Sequence, residues 1–452
     1  MRSIFCIIIL MLLSGCSFSE QIGKDTVLRE VRIVGESPYF FEKEEELQET
    51  SKTENFSQEE LLEEEFLEEE FFEEEGQNRK ENIEDDSDYE QQEQFENGKK
   101  TVAEFTDGMK AEMMREQQNL YAYSKLEITQ QNLYVEILFA LENYVEEMEV
   151  STKDTSEIDK VFQYVLIDHP ELFYADGYSF VKYTMGDEIQ KITFKGTYVY
   201  EWEEKEKLQE EIEVVALNLL KQLPASATDY EKVKYVYETI INQTEYSLSA
   251  PDNQNICSVF LGKTSVCQGY AKAVQYLLQK MMVPVTLVMG TVETGEGHAW
   301  NMVKINNQYY YVDATWGDAS YLYHTKEEGE SKSTPSINYD YLCVTTEDLL
   351  RTHSVGDILP VPICDSLEAN YYVREGAYFT RADYEQVSVL IDKYRQEGRE
   401  NVTLKFADDA VYQEMVKGLL QEQKIFNYLD SSDNSIVYTD SEKQRSLTFW
   451  LS

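Results

Sequence analysis

Hydrophobic residues recur at helical spacing in four stretches of the chain before residue 284. Apolar positions three to four residues apart run through 132–148 and 156–166, which predicts two helices. A third helix is predicted to begin near Thr228 and a fourth near Cys267. The fourth should end before Pro284, because proline cannot continue a helix.

Alternation of polar and apolar residues predicts strands between and after these helices. Residues 178–200 alternate around Gly186-Asp187, and 298–315 alternate around Asn306-Asn307, so each stretch predicts a β-hairpin. A strand at 283–289 precedes the second hairpin. Beyond residue 365 the predicted helices are 384–394 and 412–420, and the predicted strands are 401–406, 435–438 and 446–451. The pattern as a whole predicts an α+β fold.

The chain is predicted to have five segments, and a shift in composition marks the boundary near residue 100. Between positions 41 and 100 there are 25 acidic and 6 basic residues, whereas the sequence beyond has a globular composition. Because like charges repel, the acidic stretch is predicted to be a disordered tether. The predicted segments are a signal peptide at 1–16, the tether at 17–100, an N-terminal α+β module at 101–227, a core at 228–364 and a C-terminal α+β module at 365–452.

The tether contains three copies of a five-residue unit, LLEEE-FLEEE-FFEEE, at 61–75. On a helix, a period of five turns the apolar pair by roughly 140° per copy, so no continuous apolar stripe forms. A spacer is the simpler interpretation, and a docking segment for a cationic partner is the alternative. The formal charge of the whole chain is −46, which argues against nucleic acid as a partner, because phosphate backbones are bound by basic surfaces.

The first sixteen residues resemble the signal of a bacterial lipoprotein. Arg2 precedes an apolar run at 4–13 that is too short to span a bilayer. Leu13-Ser14-Gly15-Cys16 then resembles the lipobox, in which the Cys is linked to lipid and becomes the mature N-terminus. The resemblance implies an extracytoplasmic protein anchored to a bacterial cell membrane through Cys16. An ordinary signal peptide is the alternative.

Cys267, His298 and Asp313 have the residue types and the setting of a nucleophilic site. A Cys in the first turn of a helix lies at the positive end of the helix dipole, which favours thiolate. His298 and Asp313 are 15 residues apart across an even-length turn, so their side chains should lie on one face of two paired strands. A thiolate, an imidazole and an orienting carboxylate are the parts that acyl transfer requires.

Three motifs occur in the segment 255–318: CxGYA at 267–271, GHAWN at 297–301 and VDxTW at 312–316. With these motifs the segment is similar to the transglutaminase-like superfamily, whose papain-like core carries Cys, His and Asp in this order. The resemblance implies that Cys267, His298 and Asp313 are catalytic. It also implies that the helix bearing the Cys packs on an antiparallel sheet.

The other candidate residues are less well defined. A second oxyanion donor besides the backbone amide of Cys267 is expected, and Gln254 and Tyr246 are the candidates, although both could equally be loop and core residues. Cys257 is predicted to be a core residue, with a resolving thiol as the alternative. No metal site and no cofactor are predicted, because the remaining histidines show neither HExxH spacing nor a paired Cys motif. Those histidines are His169, His324 and His353.

The leading prediction is an extracytoplasmic cysteine-dependent enzyme of peptidase or transglutaminase type. It would form a thioester at Cys267 from a peptide or side-chain amide of a cell-surface protein or peptide. Hydrolysis is slightly preferred to amine transfer, because no lid is evident and water is abundant. One alternative is a catalytically silent surface lipoprotein that serves as a binding or scaffolding module. Another is an acidic adhesin that acts through the tether and the last module.

Overall fold

The computed structural model describes residues 27–34, 105–319, 337–429 and 435–451. These residues form a mixed α+β fold with three larger sheets, which confirms the predicted fold class. The predicted signal peptide, Cys16 and all of the predicted tether except 27–34 lie outside the described residues. Within the described ranges no helix is both long enough and apolar enough to cross a membrane.

The part of the chain up to residue 220 is built around an antiparallel sheet. Its elements are β1 (Val27–Val34), α1 (Asp107–Glu116), α2 (Ile128–Glu142), β2 (Met148–Val150), α3 (Thr155–Asp168), β3 (Ala175–Met185), β4 (Glu188–Tyr198) and α4 (Trp202–Leu220). The strand order is β1-β3-β4-β2, and α2 packs on α3 and on the sheet. The β3–β4 hairpin turns at Gly186 with φ 63°, as the sequence predicts.

Three features of this part differ from the sequence predictions. Strand β1 lies within the range predicted as tether, and its eight residues pair antiparallel with β3. Helix α2 ends at Glu142 rather than 148, because Tyr144 takes a left-handed φ of 53° and stacks on Tyr198 at 3.7 Å between ring centroids. Of the apolar positions that continue the helical spacing beyond Glu142, Met148 belongs to β2, which pairs with β4. Helix α4 has no counterpart among the predicted elements.

The middle of the chain contains a five-stranded antiparallel sheet with one long helix against it. Its elements are α5 (Asp229–Gln243), β5 (Glu245–Tyr246), β6 (Thr264–Ser265), α6 (Cys267–Lys280), β7 (Val285–Val292), β8 (Gly297–Ile305), β9 (Gln308–Val312), α7 (Ala314–Gly317), β10 (Leu342–Val344), α8 (Thr346–Leu349) and β11 (His353–Val355). The strand order is β10-β9-β8-β7-β11, and α6 packs on β7 and β8. The predicted packing of the Cys-bearing helix on an antiparallel sheet is confirmed.

The last part forms a smaller mixed sheet of order β12-β13-β15-β14. Its elements are α9 (Tyr371–Glu375), β12 (Tyr378–Phe379), α10 (Tyr384–Gln396), β13 (Asn401–Phe406), α11 (Asp409–Val416), β14 (Tyr438–Ser441) and β15 (Ser446–Trp450). The strand predicted at 435–438 therefore begins only at its last residue. Short 3₁₀ and π segments complete the described helices: Gln117–Asn119, Tyr123–Lys125, Ser258–Gly262, Tyr339–Tyr341, Lys417–Gln421 and Lys424–Tyr428.

One hydrophobic cluster runs through all three parts, from Ala122 to Phe449. With the exception of β1, the strands of each larger sheet lie within one of the predicted modules. The division of the chain into separate domains stays a prediction. A second, smaller cluster surrounds Trp300 and Tyr311, on the strands that carry the candidate chemistry.

Candidate active site

The first turn of α6 is fixed by close packing against the preceding loop. Cys267 is the first residue of the helix and follows Val266, whose backbone is extended. The Ser265 hydroxyl donates to the Asn253 carbonyl at 2.8 Å. A Cβ atom on Gly269 would lie 1.9 Å from the Ser265 hydroxyl oxygen and 2.9 Å from the Asn253 carbonyl oxygen. The glycine of the CxGYA motif is therefore needed for this close approach.

The hairpin of β8 and β9 brings His298 to Asp313. The turn consists of Asn306 and Asn307, with φ values of 50° and 65°, which Asn tolerates better than most residues. The even turn keeps both side chains on one face, and Nε2 of His298 lies 2.7 Å from Oδ2 of Asp313. The parity argument from the sequence predicts this contact.

Asp313 itself lies just beyond the strand, which is shorter than the predicted 308–315. Strand β9 ends at Val312, and Asp313 is the N-cap of α7. Its Oδ1 accepts the backbone N–H groups of Thr315 at 2.9 Å and Trp316 at 3.0 Å. The cap explains why the strand ends earlier than predicted, because the N–H groups of Thr315 and Trp316 bond to the Asp313 side chain instead of a neighbouring strand.

The thiol of Cys267 and the imidazole of His298 are also hydrogen-bond partners, so the structure brings all three predicted residues together. Burial alone would lower the pKa of His298, but the charges of Asp313 and Cys267 outweigh it and raise that pKa to about 10. Burial likewise opposes ionisation of Asp313, yet the imidazoles beside it hold its pKa well below the usual range. The site therefore favours a carboxylate and an imidazolium near neutral pH.

The other described cysteines lie in a different environment. All four of the described cysteines are free and buried. Burial raises the pKa of Cys257 and of Cys364 to about 12, and it raises the pKa of Cys343 further still. Cys257 belongs to the main hydrophobic cluster, in agreement with a core role. Cys267 differs from these three thiols because its hydrogen-bond partner is the imidazole of His298.

The remaining residues of the motifs support the ring of His298. Trp300 is fully buried and its ring lies 5.9 Å from the His298 ring at an angle of 26°. The Trp316 ring lies 6.2 Å from His298 in an edge-on arrangement. The Asn301 side chain donates to the Ala271 carbonyl at 3.0 Å and thereby ties β8 to α6. These contacts give the GHAWN and VDxTW motifs a structural reason.

His353 is a component of the site that sequence reasoning missed. It begins β11 at the sheet edge, where it pairs with Val292 of β7. Its Nε2 lies 3.0 Å from Oδ2 of Asp313, and its Nδ1 lies 2.8 Å from the Thr352 hydroxyl. It is 40 residues from Asp313 in sequence and belongs to no recognised motif, so no local signal could have identified it.

His298, Asp313 and His353 offer three potential metal-ligand atoms within 4.8 Å of one another, although the sequence predicts no metal site. A metal would need lone pairs on the histidine nitrogens. Here each Nε2 faces the same carboxylate oxygen, which can only accept, so both nitrogens must donate protons to it. Hydrogen bonding therefore accounts for the cluster without an ion.

Both oxyanion candidates lie near the N-terminal end of α6. Tyr246 of β5 pairs with Ser265 of β6, two residues before Cys267. Gln254 lies in the loop whose Asn253 carbonyl accepts the N–H of Val266. The Gln254 side-chain oxygen is buried and has no hydrogen-bond partner among the described residues. The structure shows where these groups lie, and their role as donors stays a prediction.

A cavity of about 280 Å³ lies beside the first turns of α6. Gln254, Gln268 and Lys272 are among the residues that line it. Burial lowers the pKa of Lys272 to about 8. A larger cavity of about 1040 Å³ lies between the core and the last part of the chain, where Trp316, Thr352 and Gln444 contribute to its wall.

Comparison with known protein families gives one match. Residues 218–314 match the family model of the transglutaminase-like superfamily, so the chain contains a transglutaminase-like domain, of a superfamily that includes Cys-His-Asp enzymes. No curated protein matches the chain by sequence.

Solved structures similar to the chain include three proteins. The first is a TGase with 13% identity and a TM-score of 0.24, where the match covers 51% of this chain and 61% of the TGase chain. The second is a candidate cysteine protease from Cytophaga hutchinsonii with 15% identity and a TM-score of 0.21, covering 30% and 56%. The third is a candidate protease from Parabacteroides distasonis with 12% identity and a TM-score of 0.20, covering 28% and 29%.

Proposed function

We propose that this protein is an extracytoplasmic cysteine-dependent acyl-transfer enzyme that acts on peptide or side-chain amides through a thioester at Cys267. The observation that supports this most directly is the buried arrangement in which His298 contacts both Cys267 and Asp313. That arrangement supplies a nucleophile, a proton carrier and a group that orients the carrier.

In the first half of the reaction, the Cys267 thiolate attacks the carbonyl carbon of the amide. The imidazolium of His298 then gives its proton to the departing nitrogen, so the C–N bond breaks and a neutral amine leaves. The carboxylate of Asp313 stabilises the imidazolium before this step and fixes the ring through Nε2. The raised pKa of His298 favours the protonated ring from which the step begins.

In the second half, water or a primary amine attacks the thioester carbonyl. His298, now neutral, accepts the proton of the attacking group, the C–S bond breaks, and the thiolate–imidazolium pair is restored. Water gives a carboxylic acid and an amine gives a new amide. We favour hydrolysis, because water is the abundant acceptor.

The surroundings of Cys267 support binding of an amide substrate. The backbone N–H of Cys267 is the first oxyanion donor. We assign Gln254 as the second, because it lines the cavity beside the first turns of α6 and its side-chain amide carries two N–H donors. Tyr246 is the alternative donor.

The site of action is the surface of a bacterial cell, with the enzyme attached to the membrane by lipid at Cys16. The lipobox-like Leu13-Ser14-Gly15-Cys16 supports this proposal. Labelled palmitate supplied to expressing bacteria should enter the protein, and Cys16→Ala should not take up label. Equal labelling of both forms would contradict the anchor.

The central experiment is alkylation of the full chain with iodoacetamide at about pH 6, followed by mapping of the modified thiol. Cys267 should react first, because a thiolate is the reactive form and an imidazolium lies beside it. The Cys257→Ala variant is the matched control, since Cys257 is a second buried thiol ten residues earlier, and its removal should leave the labelling unchanged.

The reaction class is tested with cell-wall peptides and Gln-containing proteins, with and without a labelled primary amine. Cleavage that disappears in Cys267→Ala supports the hydrolase. Amine incorporation that disappears in the same variant would replace it with a transglutaminase. A broad panel with neither outcome, together with an unreactive Cys267, would favour a binding or scaffolding lipoprotein.

A further inference from the structure

We propose that His353 is a positioning residue for the catalytic triad, and that the C-terminal hairpin, residues 438–450, holds it in place through Gln444 and Thr352. The proposal rests on the proposed function, since it concerns the same Cys267 site. It gives the C-terminal module a role that its sequence does not indicate.

The hydrogen bonds of Asp313 show what His353 does. Oδ1 accepts two backbone N–H groups of α7, and Oδ2 accepts Nε2–H from His298 at 2.7 Å and from His353 at 3.0 Å. Each carboxylate oxygen therefore has two donors, which matches its two lone pairs. Without His353, Oδ2 would keep only the bond to His298, and the carboxylate that orients the triad would lose one of its four contacts.

The tautomer of His353 follows from its two partners. Its Nε2 must carry the proton, because a carboxylate oxygen can only accept. A neutral ring then has Nδ1 as an acceptor, so the Thr352 hydroxyl donates to it at 2.8 Å. This leaves the Thr352 oxygen free to accept hydrogen bonds from other groups. Asp313 thus fixes the tautomer of His353, and Thr352 satisfies its other ring nitrogen.

Gln444 supplies the next contact from a different part of the chain. Its Nε2 donates to the Tyr341 hydroxyl at 2.7 Å and approaches the Thr352 hydroxyl at 3.5 Å. The Tyr341 and Thr352 hydroxyls lie 3.3 Å apart. All three side chains are buried. A continuous set of hydrogen bonds therefore leads from the turn of the C-terminal hairpin to Asp313.

Buried polar contacts of the residues that follow Gln444 hold this turn against the core. Arg445 bonds to Asp348 of α8 at 2.5 Å, and the Ser446 hydroxyl donates to Asp340 at 2.7 Å. Lys405 of β13 contacts the same Asp340 at 3.2 Å. Because buried charges are costly to separate, the hairpin is firmly seated. These contacts hold the Gln444 side chain beside Tyr341 and Thr352.

The titratable groups that face Asp313 come from four elements. His298 projects from β8 and His353 from β11. Tyr237 of α5 and Tyr341, next to β10, interact with the Asp313 charge, and burial raises the pKa of both phenols well above the usual value. His298 and His353 are therefore the groups that can stabilise the carboxylate as it ionises.

The test is the pH profile of iodoacetamide alkylation at Cys267 in the full chain, with the modified thiol mapped. His353→Leu removes the Nε2 donor, so the Asp313 carboxylate should hold the His298 imidazolium less firmly, and the neighbouring Cys267 thiolate should be less stabilised. The acid limb of the profile should then move up by at most about one pH unit, the size expected for one hydrogen bond to a carboxylate. His353→Gln keeps an N–H donor near the Nε2 position and should restore the wild-type limb.

Gln444→Leu should move the acid limb in the same direction by a smaller amount. Glu442→Gln, an exposed residue of the same turn, is the matched control and should leave the limb in place. If His353→Leu does not fold, as judged by near-ultraviolet circular dichroism, the comparison of Gln444→Leu with Glu442→Gln decides.

The result that overturns the proposal is a reactive Cys267 whose acid limb is unchanged in folded His353→Leu, or unchanged in Gln444→Leu where that variant decides. An equal shift in His353→Gln and His353→Leu also overturns it, because a packing role would produce that pattern. A wild-type Cys267 no more reactive than an ordinary thiol is a different result and contradicts the proposed function instead.

Discussion

Two buried carboxylates in this chain, Asp168 and Asp313, have similar surroundings and opposite acidities. Each is about 1% exposed and accepts two backbone N–H groups. Burial raises the pKa of Asp168 to about 6 despite its hydrogen bonds, whereas the pKa of Asp313 lies well below its usual range. Burial and backbone donors alone therefore do not decide the charge of the group.

The difference lies in the third partner. Asp168, at the end of α3, accepts a bond from the neutral Tyr134 hydroxyl at 3.2 Å. Its neighbour His169 is committed to Glu171, with Nδ1 2.6 Å from Oε1. Asp313 instead faces two imidazoles, one of which can carry the charge that catalysis requires. The charge of His169 also lowers the pKa of Asp168 but does not overcome burial, so a structural carboxylate and a candidate catalytic one are distinguished by a chargeable partner that is hydrogen-bonded to the carboxylate itself.

The largest expected effect comes from neutralising each carboxylate in turn. Asp313→Asn should lower amide turnover by about 10³- to 10⁴-fold, because the imidazolium loses the charge and the tautomer selection that support it. Asp168→Asn, the matched change at the structural carboxylate, should alter turnover by less than about threefold, since Asp168 is not in contact with the triad. Steady-state kinetics on the cleaved peptide measures both. Comparable losses of turnover in the two variants would show that Asp313 has no catalytic role that Asp168 lacks.

The next effect compares the two buried histidines. His298→Ala should slow alkylation of Cys267 at about pH 6 by about tenfold or more, because the thiolate loses its imidazolium partner. His169→Ala breaks a pair with Glu171 elsewhere and should leave the rate unchanged. Iodoacetamide labelling followed by peptide mapping gives both rates. A slow reaction in His169→Ala alone would mean that the sequence motifs point to the wrong imidazole.

The sequence predicts one of these carboxylates well and gives no indication of the other. Asp313 is identified because hairpin alternation and an even Asn306-Asn307 turn are local properties, and they place it beside His298. Asp168 binds the backbone of Ala122 and Tyr123, about 45 residues earlier, and no local pattern encodes that contact. Contacts between distant segments depend on how whole elements pack.

His353 and Tyr144 show the same limit in different ways. His353 reaches Asp313 only because β11 adds to the edge of the sheet next to β7. Tyr144 ends α2 although the apolar spacing continues, because stacking on Tyr198 and the pairing of β2 with β4 override the helical pattern. Periodicity predicts which face is apolar, while tertiary contacts decide where the element stops.

A further effect is the pH dependence of stability, which should have opposite signs at the two carboxylates. The pKa of Asp168 is raised on folding from 3.8 to about 6, so its contribution is complete below the unfolded pKa and is lost as the pH rises through about 6. Two pKa units correspond to about 3 kcal/mol. The unfolding free energy of wild type minus that of Asp168→Asn should therefore fall by about this amount between pH 4 and pH 7.

For Asp313 the sign reverses. Its pKa is lowered on folding, so its contribution is present above the unfolded value of 3.8 and is lost as the pH falls below it. The same difference measured with Asp313→Asn should rise with pH in the window below about pH 4. Urea titrations at several pH values measure both differences. Slopes of the same sign would show that the two sites are electrostatically alike.

The smallest effect concerns the Tyr134 hydroxyl, which donates a hydrogen bond to Asp168. Tyr134→Phe removes one neutral donor at 3.2 Å while Oδ2 keeps the Tyr123 N–H at 2.7 Å, so the unfolding free energy at pH 7 should fall by about 0.5–1.5 kcal/mol. The loss should be smaller at pH 4, where Asp168 is protonated and accepts a weaker bond. Tyr230→Phe is the matched control, because the Tyr230 hydroxyl is buried without a partner among the described residues and its removal should cost nothing. Urea unfolding of both variants at the two pH values gives the comparison. Equal losses for Tyr134→Phe at pH 4 and pH 7 would mean that Asp168 does not change its charge between them.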